Sequence, residues 1–534
     1  MTHKGVTVAT TDQFKDGEMK QVSVKGTEIL LARVNGKYHA VGAYCPHYGA
    51  PLVDGVLNSE RLVCPWHHSC FNVTTGDLQE PPAIDGLPTY DVRIENDQVI
   101  VGPPDDAADR RTPQMTKHDP AAEARTFVIA GGGAAGYAAA QTLREDGFTG
   151  RIVLITREDH LPYDRPNLSK EYLQGSVKRE WMPLRPDEFY AEHNIEVLRG
   201  IEVTRVDTAS KTMTFADGDT LAYDSLLLAT GGMPRRIKLP GSDLKNVFVL
   251  RSFDDADTIL EAAPQASRAV IIGASFIGME TAASLALRKL SVTVVAPGKV
   301  PFEKTLGVEI GRLIQQVHEA RGVQFRLGAS AAGFEGDDAV KAVRLDSGER
   351  IETDLVIAGV GVKPATDFLD GVKLHKDGGV IVDEHMHVAN GVYAAGDIAY
   401  FPGKLTGEHQ RIEHWRTAMQ QGRVAAHNMA GTEVMYDGVP FFWTRQFDLA
   451  LLYVGHATSW EEIIFQGDIS AQDFLAFYLS KNRVRAAAGM NRDRDMAAIE
   501  ELMRLDQVPS AAQLKNGATD FLELLRNKAS GVSA

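Results

Sequence analysis

The amino-acid sequence predicts a multidomain protein, with an N-terminal all-β domain, a long α/β region and a small α+β domain at the C-terminal end. Short apolar runs separated by turns fill the first hundred residues, and Asn35-Gly36 between two of them favours a hairpin. Apolar strands then alternate with Ala-rich helices to about residue 431, which is typical of parallel βαβ units. Strand patterns followed by helical patterns complete the chain.

Composition limits the partners of the protein. The 534 residues suffice for three or four domains, at roughly 100–200 residues each. Asp and Glu number 71 against 56 Lys and Arg, and the net charge of −15 disfavours nucleic acid and anionic lipid. No apolar run approaches the roughly 20 residues of a membrane-spanning helix, and the N-terminus has no signal core. We therefore expect a cytoplasmic protein.

Two mixed pairs of cysteine and histidine lie in the N-terminal domain. The first is Cys45-x-His47, and sixteen residues later comes Cys64-x-x-His67. A Rieske 2Fe-2S cluster needs two thiolates on one iron and two imidazoles on the other. Structural zinc is the alternative, but zinc sites usually pair Cys with Cys and His with His. The pattern thus predicts a Rieske cluster on these four residues.

The neighbouring residues refine this prediction. The segment CPWHHSCFNVTTGDL resembles ferredoxin-type Rieske domains, and Ala50 and Trp66 stand where high-potential Rieske proteins carry two bracing cysteines. We therefore expect a reduction potential near the low end of the Rieske range, roughly −150 mV. We expect Cys70 to be a small buried side chain and His68 to be a solvated loop residue. The ligand imidazoles should mark the exposed edge of the cluster.

The segment from Pro103 to Arg125 has almost no large apolar residues and indicates a linker. A polar tether of about twenty residues would let the N-terminal domain either dock over the rest of the chain or swing to a partner.

The sequence RTFVIAGGGAAGYAAAQTLRE predicts a strand, a glycine-rich turn and a helix. Gly131, Gly133 and Gly136 form a GxGxxG turn, which brings backbone N–H groups close to a pyrophosphate at the helix N-terminus. Glu158 lies about 20 residues beyond the turn, where a carboxylate can bond ribose hydroxyls. This segment predicts a dinucleotide site.

A second copy occurs in RAVIIGASFIGMETAASLAL, where Gly273 and Gly278 flank Ser275 at the middle glycine position. A βαβ turn that serves only packing is the alternative interpretation. Ala296 stands where an acid would mark NAD, and only Lys299 offers a nearby positive charge for NADP. The nucleotide is thus NADH or NADPH, with Gly278 favouring NADH modestly.

Two further segments explain why two sites occur. Gly396 and Asp397, in GVYAAGDIAYFP, resemble the second FAD motif of flavoproteins with two dinucleotide-binding domains. Thr230 and Gly231, in ATGGMPR, resemble the segment that crosses between the domains of those proteins. The resemblance implies that the first site holds FAD and that the inserted second site holds NADH or NADPH.

From Arg125 onward the chain resembles the apoptosis-inducing-factor and oxygenase-coupled ferredoxin reductase family. The likeness is carried by LPYDRPNLSKEYL, GASFIGMETAA, RIEHWRTAMQQGRVAAHNMAG and VPFFWTRQFD. With the cluster segment in front, the chain resembles the Rieske-bearing members of that family.

The resemblance implies roles for individual residues. Arg165 and Lys170 would approach the flavin, with Lys170 near its reactive edge, and Glu280 would lie close to the nicotinamide. Taken alone, Lys170 is more often a solvated lysine and Glu280 a solvated or ion-paired carboxylate. We expect catalytic roles for Lys170, Glu280 and Trp415.

The remaining residues would line the same pocket. Glu413, His414 and Trp415 would line the isoalloxazine ring, and Gly361 and Pro364 would close the nicotinamide side. An aromatic ring such as Trp443 can stack on a flavin or nicotinamide, although a core position is equally consistent with its type.

These predictions define the limits of the domains. We expect a Rieske domain at 1–104, a linker at 105–124, a discontinuous FAD-binding domain at 125–245 and 366–436, an NAD(P)H-binding domain at 246–365 and a C-terminal interface domain at 437–534.

Three functions remain open. The first is an oxidoreductase that passes electrons from NADH or NADPH through FAD to the cluster and on to an external acceptor, such as an oxygenase or a cytochrome. The second is an NADH-sensing interaction protein that forms a homodimer, and the third is a flavin dehydrogenase for a small organic substrate. Because no cysteine follows Cys70, disulfide reductases and thiol-dependent peroxide reductases are excluded. A terminal oxygenase is disfavoured because no segment remains for a mononuclear iron domain.

Overall fold

Three structural regions follow one another along the chain in the order that the sequence predicts. The computed structural model describes residues 5–102, 109–405, 407–517 and 519–529. Within these ranges, no helix is long and apolar enough to cross a membrane.

Antiparallel sheets form the N-terminal region. The predicted hairpin is confirmed, since Thr27–Val34 pairs with Lys37–Gly42 and both Asn35 and Gly36 have positive φ, as a tight hairpin turn requires. The strands are Val6–Thr10, Met19–Val24, Thr27–Val34, Lys37–Gly42, Val56–Asn58, Arg61–Val63, Cys70–Asn72, Leu78–Glu80, Thr89–Tyr90, Val92–Glu95 and Gln98–Val101.

A six-stranded sheet forms the centre of the first α/β unit, and its strands come from two separate parts of the chain. In spatial order they are Ile195–Leu198, Arg151–Ile155, Thr126–Ala130, Ser225–Leu228, Val392–Ala394 and His387–Ala389. All neighbours are parallel except the last pair. The four apolar strands at its centre are buried because helices cover the sheet, including Ala134–Glu145, which packs on Trp415–Ala430.

A second α/β unit is inserted between these two parts. Its five-stranded parallel sheet has the order Val247–Phe248, Leu355–Ala358, Arg268–Ile272, Ser291–Ala296 and Gln324–Leu327. The helices are Phe253–Ala262, Phe276–Leu287, Glu303–Leu306 and Val308–Ala320, and the strands Ala331–Gly336, Val340–Leu345 and Arg350–Glu352 form an antiparallel sheet beside them.

The C-terminal region is a five-stranded antiparallel sheet with helices against it. The strand order is Phe441–Gln446, Leu449–Gly455, Arg483–Met490, Asp473–Ser480 and Glu462–Asp468, and the helices are Asp493–Arg504, Ala511–Lys515 and Phe521–Ala529. Smaller α/β elements are the strands Val203–Asp207, Thr212–Phe215, Thr220–Ala222, Gly232–Pro234, Val362–Pro364, Leu369–Asp370, Val380–Ile381, Ala399–Pro402 and His409–Gln410 and the helices Glu171–Gln174 and Asp187–Glu192. Single 3-10 turns cover Thr11–Gln13, Leu52–Asp54, Arg165–Ser169, Arg179–Trp181, Ala263–Gln265 and Gly396–Ile398.

The N-terminal domain is docked on the other two regions through a buried interface. Val56, Val63 and Cys70 pack in the same apolar cluster as Phe441 and Met496 of the C-terminal region. On the α/β side, Gln141 Nε2 donates to the Ile84 carbonyl at 3.0 Å, and Arg185 forms an ion pair with Asp85 at 2.6 Å.

Arg416 is at the centre of this interface and is 1% exposed. Its guanidinium donates to Glu500 and to Glu80, each at 2.7 Å, and to the Pro81 carbonyl at 2.9 Å. Each of the three guanidinium nitrogens therefore has an acceptor. Two of these acceptors, Glu80 and the Pro81 carbonyl, belong to the N-terminal domain.

A second ion pair joins the same surfaces. Glu501 accepts hydrogen bonds from Asn58 at 2.9 Å and from Arg61 at 3.0 Å. Burial raises the pKa of Glu501, but hydrogen bonds and charges from Arg504 and Arg61 outweigh that effect and lower the pKa to about 2. Glu501 is thus ionised at neutral pH and pairs across the interface.

The described part of the predicted linker lies along both neighbours. The backbones of Arg111 and Gly86 exchange two hydrogen bonds of 2.9 and 3.0 Å, and the Thr116 and Asp119 N–H groups donate to α/β-region carbonyls. Residues 103–108 lie outside the described residues. A tether would allow the N-terminal domain either to dock on the rest of the chain or to swing to a partner. The structure shows the docked arrangement.

We predict that Arg416→Met weakens docking by about 3–5 kcal/mol, because it removes the buried cation shared by the Glu80 and Glu500 carboxylates and leaves them only their contacts with Arg61 and His68. Thermal unfolding and limited proteolysis between residues 100 and 125 would measure the change. Arg93→Met is the control, because Arg93 is exposed and should change stability by less than about 0.5 kcal/mol. Equal unfolding temperatures for the two variants would contradict the prediction.

Candidate functional site

Two loops side by side present the predicted metal ligands. In the first, the Cys45 N–H donates to the Ala50 carbonyl and the Gly49 N–H donates back to the Cys45 carbonyl, both at 2.9 Å. In the second, the Cys64 N–H donates to the Ser69 carbonyl at 2.8 Å. These turns fix the backbone on both sides of each ligand pair.

The ligands converge in two like pairs. The His47 and His67 Nδ1 atoms are 3.2 Å apart. The Cys45 and Cys64 thiols interact with each other, and this contact adds to burial in raising the pKa of Cys45. Two imidazoles together and two thiols together match the donor set of a two-iron cluster.

Zinc is the alternative for these four residues. A structural zinc site needs four ligands around one point, whereas a Rieske cluster holds two imidazoles on one iron and two thiolates on the other. The contacts of imidazole with imidazole and of thiol with thiol have the grouping of the Rieske cluster.

The protonation state of the imidazoles suits metal binding. Burial lowers the pKa of His47 to about 3, and burial also lowers the pKa of His67 well below its usual value. Both rings are neutral at physiological pH, which is the form that ligates a metal.

The expectation for His68 is wrong, whereas that for Cys70 is confirmed. His68 is 0% exposed, bonds to Glu500 through Nδ1 and stacks on Phe441 at 4.2 Å. It is buried because the C-terminal region covers this side of the loop, which no local pattern reveals. Cys70 is fully buried as well, and burial raises the pKa of its thiol.

The ligand imidazoles are the more exposed edge of the cluster site, as expected, since His47 and His67 are partly exposed whereas Cys45 and Cys64 are buried, but this edge lies against other parts of the chain. The centre of the His67 ring lies 4.5 Å from that of Trp443 and 5.4 Å from that of Tyr48. The Tyr48 ring stacks on the His47 ring with their centres 4.0 Å apart. The Tyr48 hydroxyl donates to Asp164. The imidazole edge therefore faces the α/β and C-terminal regions, because the domain docks with that edge inward.

The first glycine-rich turn has the shape of a dinucleotide cradle. A side chain at Gly131 or Gly136 would collide with backbone carbonyls, so both positions need glycine. A side-chain carbon at Gly133 would meet nothing within 4 Å. The space that a pyrophosphate requires is thus open at the start of the helix Ala134–Glu145.

The second turn repeats this geometry despite its serine. A side chain at Gly273 or Gly278 would collide with backbone carbonyls, as in the first turn. Ser275 has φ −105°, close to the −85° of Gly133, and this extended backbone accepts any residue. The substitution therefore leaves the turn intact and adds an exposed hydroxyl.

Glu158 and Arg165 lie together in the first unit. Glu158 accepts a hydrogen bond from Arg165 at 2.7 Å and another from the Tyr163 hydroxyl at 2.6 Å. Burial raises the pKa of Glu158, but Arg165 and the Tyr163 hydroxyl outweigh it, so the pKa is lowered and the carboxylate is ionised.

The remaining residues predicted for FAD meet at the carboxyl edge of the six-stranded sheet. Asp397 pairs with Arg251 at 2.7 Å, and Arg251 also approaches Gly231. Thr230 Oγ1 donates to the Ala365 carbonyl at 2.7 Å, which ties the domain-crossing segment to its return strand. Gly396 is buried, and its N–H donates to a helix side chain.

Glu413, His414 and Trp415 stand at the start of the long helix Trp415–Ala430. Glu413 pairs with Arg411 at 2.5 Å, and Trp415 is partly buried against the core of the first unit. His414 Nδ1 is buried and has no hydrogen-bond partner among the described residues. An unpartnered buried nitrogen here suits a polar group of a bound cofactor.

Lys170 and Glu280 form a buried ion pair. Lys170 Nζ lies 3.2 Å from Glu280 Oε2, and the two side chains are 9% and 5% exposed. Ser169 donates to the same carboxylate, and Thr444 donates to its other oxygen at 2.8 Å. The ion-paired alternative for Glu280 is therefore what the structure shows.

Gly361 stands apart from this group. It has φ +90° and is exposed, and its carbonyl accepts the Arg235 N–H at 2.9 Å, next to the two-stranded ribbon formed by Gly232–Pro234 and Val362–Pro364. Pro364 is buried.

Sequence reasoning missed several residues of the site. Tyr48, Thr444 and Arg251 have no motif of their own, because each acts through a contact between segments far apart in the chain. Trp443 is partly buried against the C-terminal core, and the centre of its ring lies 4.5 Å from that of His67. The only sequence signal for Tyr48 is its place directly after a ligand.

Comparison with known proteins agrees with this architecture. The model of the pyridine nucleotide-disulphide oxidoreductase family matches residues 125–422. The Rieske 2Fe-2S domain model matches residues 4–91, and the reductase C-terminal model matches residues 441–525.

Individual relatives match most of the chain. Apoptosis-inducing factor 3 of Homo sapiens is 39% identical, over 93% of this chain and 83% of that protein. The 5,5'-dehydrodivanillate O-demethylase ferredoxin reductase subunit of Sphingobium sp. is 36% identical, over 69% of this chain and 90% of that protein. The solved covalent putidaredoxin reductase–putidaredoxin complex matches with a TM-score of 0.72 and 31% identity, covering 76% of this chain and 99% of that chain.

Fold and site together define an FAD-dependent oxidoreductase that uses NADH or NADPH and carries a Rieske cluster. The chain belongs to the pyridine nucleotide-disulphide oxidoreductase family, as a ferredoxin-reductase-like member with a Rieske domain in front.

We predict that Cys64→Ser abolishes the cluster, because the iron that is held by the two thiolates loses one of them. Iron and acid-labile sulfide analysis should fall from about two of each per chain to near zero, while the flavin stays bound. Cys70→Ser is the matched control and should retain both iron and sulfide. Full iron content in Cys64→Ser would contradict the ligand assignment.

We also predict a midpoint potential of roughly −150 mV for the cluster. Ala50 and Trp66 occupy the positions of the two bracing cysteines and all three cysteines of the chain are unpaired, so no disulfide braces the two loops. Redox titration followed by electron paramagnetic resonance would measure the potential. A strongly positive midpoint would refute this prediction.

Proposed function

We propose that the protein oxidises NADH or NADPH and passes the electrons through FAD to its own Rieske cluster, and from there to an external acceptor. FAD, if held by the first dinucleotide unit, would supply the conversion of a two-electron hydride into single electrons, and a cluster on Cys45, His47, Cys64 and His67 would carry one electron at a time. The acceptor is a protein or a small molecule, and an oxygenase component or a cytochrome would fit this chemistry.

One observation supports this proposal above the others: the imidazole edge of the cluster site faces the predicted flavin pocket. Trp443 contacts His67, and the next residue on its strand, Thr444, bonds to Glu280. Glu280 in turn holds Lys170. A short run of packed residues thus joins the metal ligands to the residues predicted at the reactive edge of the flavin.

A second contact supports the same arrangement from the other side. Asn167 Nδ2 donates to the Tyr48 hydroxyl at 2.8 Å, and Tyr48 stacks on His47. Asn167 lies in the turn Arg165–Ser169, directly before Lys170. The turn that we propose to contact the flavin therefore also positions a cluster ligand.

Hydride transfer depends mainly on positioning and on exclusion of water. We propose that Lys170, held by Glu280, fixes the reactive edge of the flavin and that Trp415 helps to line the ring. The buried pair keeps the lysine in one position, since leaving it would unpair a buried carboxylate. We also propose that the first glycine-rich turn, Glu158 and Asp397 bind FAD.

The division into domains is a further part of the proposal, and so is the cellular location that follows from the cysteines. The six-stranded sheet takes its strands from residues 126–228 and 387–394, which supports a discontinuous FAD domain. We place the protein in the cytoplasm, because all three cysteines are unpaired and a cluster on Cys45 and Cys64 needs those two thiols reduced.

We predict that anaerobic mixing with NADH or NADPH bleaches the flavin and then yields a reduced Rieske signal in the same molecule. Stopped-flow absorbance would follow the flavin, and electron paramagnetic resonance of frozen samples would follow the cluster. Cys64→Ser provides the control, in which the flavin should still bleach and the Rieske signal should be absent.

A flavin that is reduced while the cluster stays oxidised would refute the proposed route. Slow reoxidation together with NADH-dependent dimerisation would instead favour the sensing function. Flavin reduction by a small organic substrate without nucleotide would favour the dehydrogenase.

A further inference from the structure

The two dinucleotide units share one backbone hydrogen-bond pattern, so their positions can be matched residue by residue. The Gly131 N–H donates to the Ile155 carbonyl, and the Gly273 N–H donates to the Val295 carbonyl, each at 2.8 Å. Ile155 of the first unit therefore corresponds to Val295 of the second.

A second pair of hydrogen bonds extends the match beyond the strand. The Gly200 N–H donates to the Glu158 carbonyl at 3.2 Å, and the Gly328 N–H donates to the Gly298 carbonyl at 3.0 Å. Both matches align Glu158, the predicted ribose acid of the first unit, with Gly298. The second unit thus lacks an acid there as well as at Ala296.

Glu303 places a carboxylate beside the vacant position. A side-chain carbon at Gly298 would lie 3.2 Å from Glu303 Oε2. The same oxygen accepts the Lys299 N–H at 2.9 Å, which fixes the side chain over this turn. Glu303 Oε1 accepts no hydrogen bond within the described residues and is available to a ligand.

The residue before Glu303 is tied to the glycine-rich turn. The Phe302 N–H donates to the Ala274 carbonyl at 3.0 Å, and its ring packs on Phe276 at 4.8 Å. Ala274 lies inside the turn, and Phe276 begins the helix after it. The Glu303 carboxylate is thereby held between the turn that would receive the pyrophosphate and the end of the second strand, which is where an adenosine ribose lies in this fold.

We propose that Glu303 supplies the ribose-binding carboxylate of the second site and makes NADH the preferred nucleotide. This inference rests on the proposed oxidation of a nicotinamide nucleotide. A carboxylate accepts hydrogen bonds from the ribose 2′-hydroxyl of NADH and repels the 2′-phosphate of NADPH. Lys299 is exposed and forms no ion pair among the described residues, so loss of Glu303 leaves a basic residue to receive that phosphate.

The test is a calorimetric titration of the flavin-loaded protein with NAD+ and NADP+, which bind without turnover. The titration measures the dissociation constant of each nucleotide. We expect the protein to bind NAD+ at least about tenfold more tightly than NADP+. Glu303→Gln should weaken NAD+ binding several-fold and strengthen NADP+ binding. Glu309→Gln removes the same charge from an exposed position on the next helix and should change neither affinity.

A rescue variant separates the role of Glu303 in binding from a role in loop structure. Gly298 has no positive φ, so Gly298→Glu in the Glu303→Gln background adds a carboxylate at the position that matches Glu158. We expect this double variant to recover the preference for NAD+. A wild-type preference for NADP+, or an unchanged affinity ratio in Glu303→Gln, would overturn the inference.

Anaerobic reduction keeps the two proposals distinguishable. If neither reduced nucleotide bleaches the flavin while NAD+ still binds with the predicted ratio, the proposed function fails and the role of Glu303 stands. If NADH bleaches the flavin but the ratio is the same in Glu303→Gln, only the role of Glu303 fails.

Discussion

The arrangement of the redox sites depends on one buried ion-pair network, in which Arg416 lies between Glu80 of the Rieske domain and Glu500 of the C-terminal region. Charges removed from water are costly unless each one is paired, so the two surfaces are stable only in the register that pairs them all. This register turns the imidazole edge of the cluster site toward Trp443 and the Lys170–Glu280 pair. A shift of the domain would unpair several buried charges at once.

The duplicated α/β units show how one backbone geometry is used twice. Each unit has an open middle position in its turn, Gly133 in one and Ser275 in the other, and each turn is closed by the same hydrogen bond to the end of the second strand. The units differ in the origin of the carboxylate that we propose for the ribose. Glu158 lies in the loop after its strand, whereas Glu303 reaches the corresponding place from the next helix. Equivalent chemistry therefore need not occupy equivalent sequence positions.

The local motifs could be predicted because each depends on a few neighbouring residues. The ligand pairs Cys45-x-His47 and Cys64-x-x-His67, the glycine-rich turns and the Asn35-Gly36 hairpin are fixed by backbone geometry within short segments. His68 was misjudged because its burial comes from Phe441 and Glu500, more than 350 residues away. No pattern within a loop reports what packs on it from another domain.

The sequence by itself therefore determined the fold classes and the family, and it predicted the cluster ligands and the two glycine-rich turns. The tertiary structure alone decided which edge of the cluster site faces inward, that Tyr48 and Trp443 contact its ligands, and that Glu280 is ion-paired. The physical reason is the range of the interactions. Turns and metal loops are specified by local backbone conformation, whereas docking depends on burial and charge pairing between surfaces that the chain brings together only when folded.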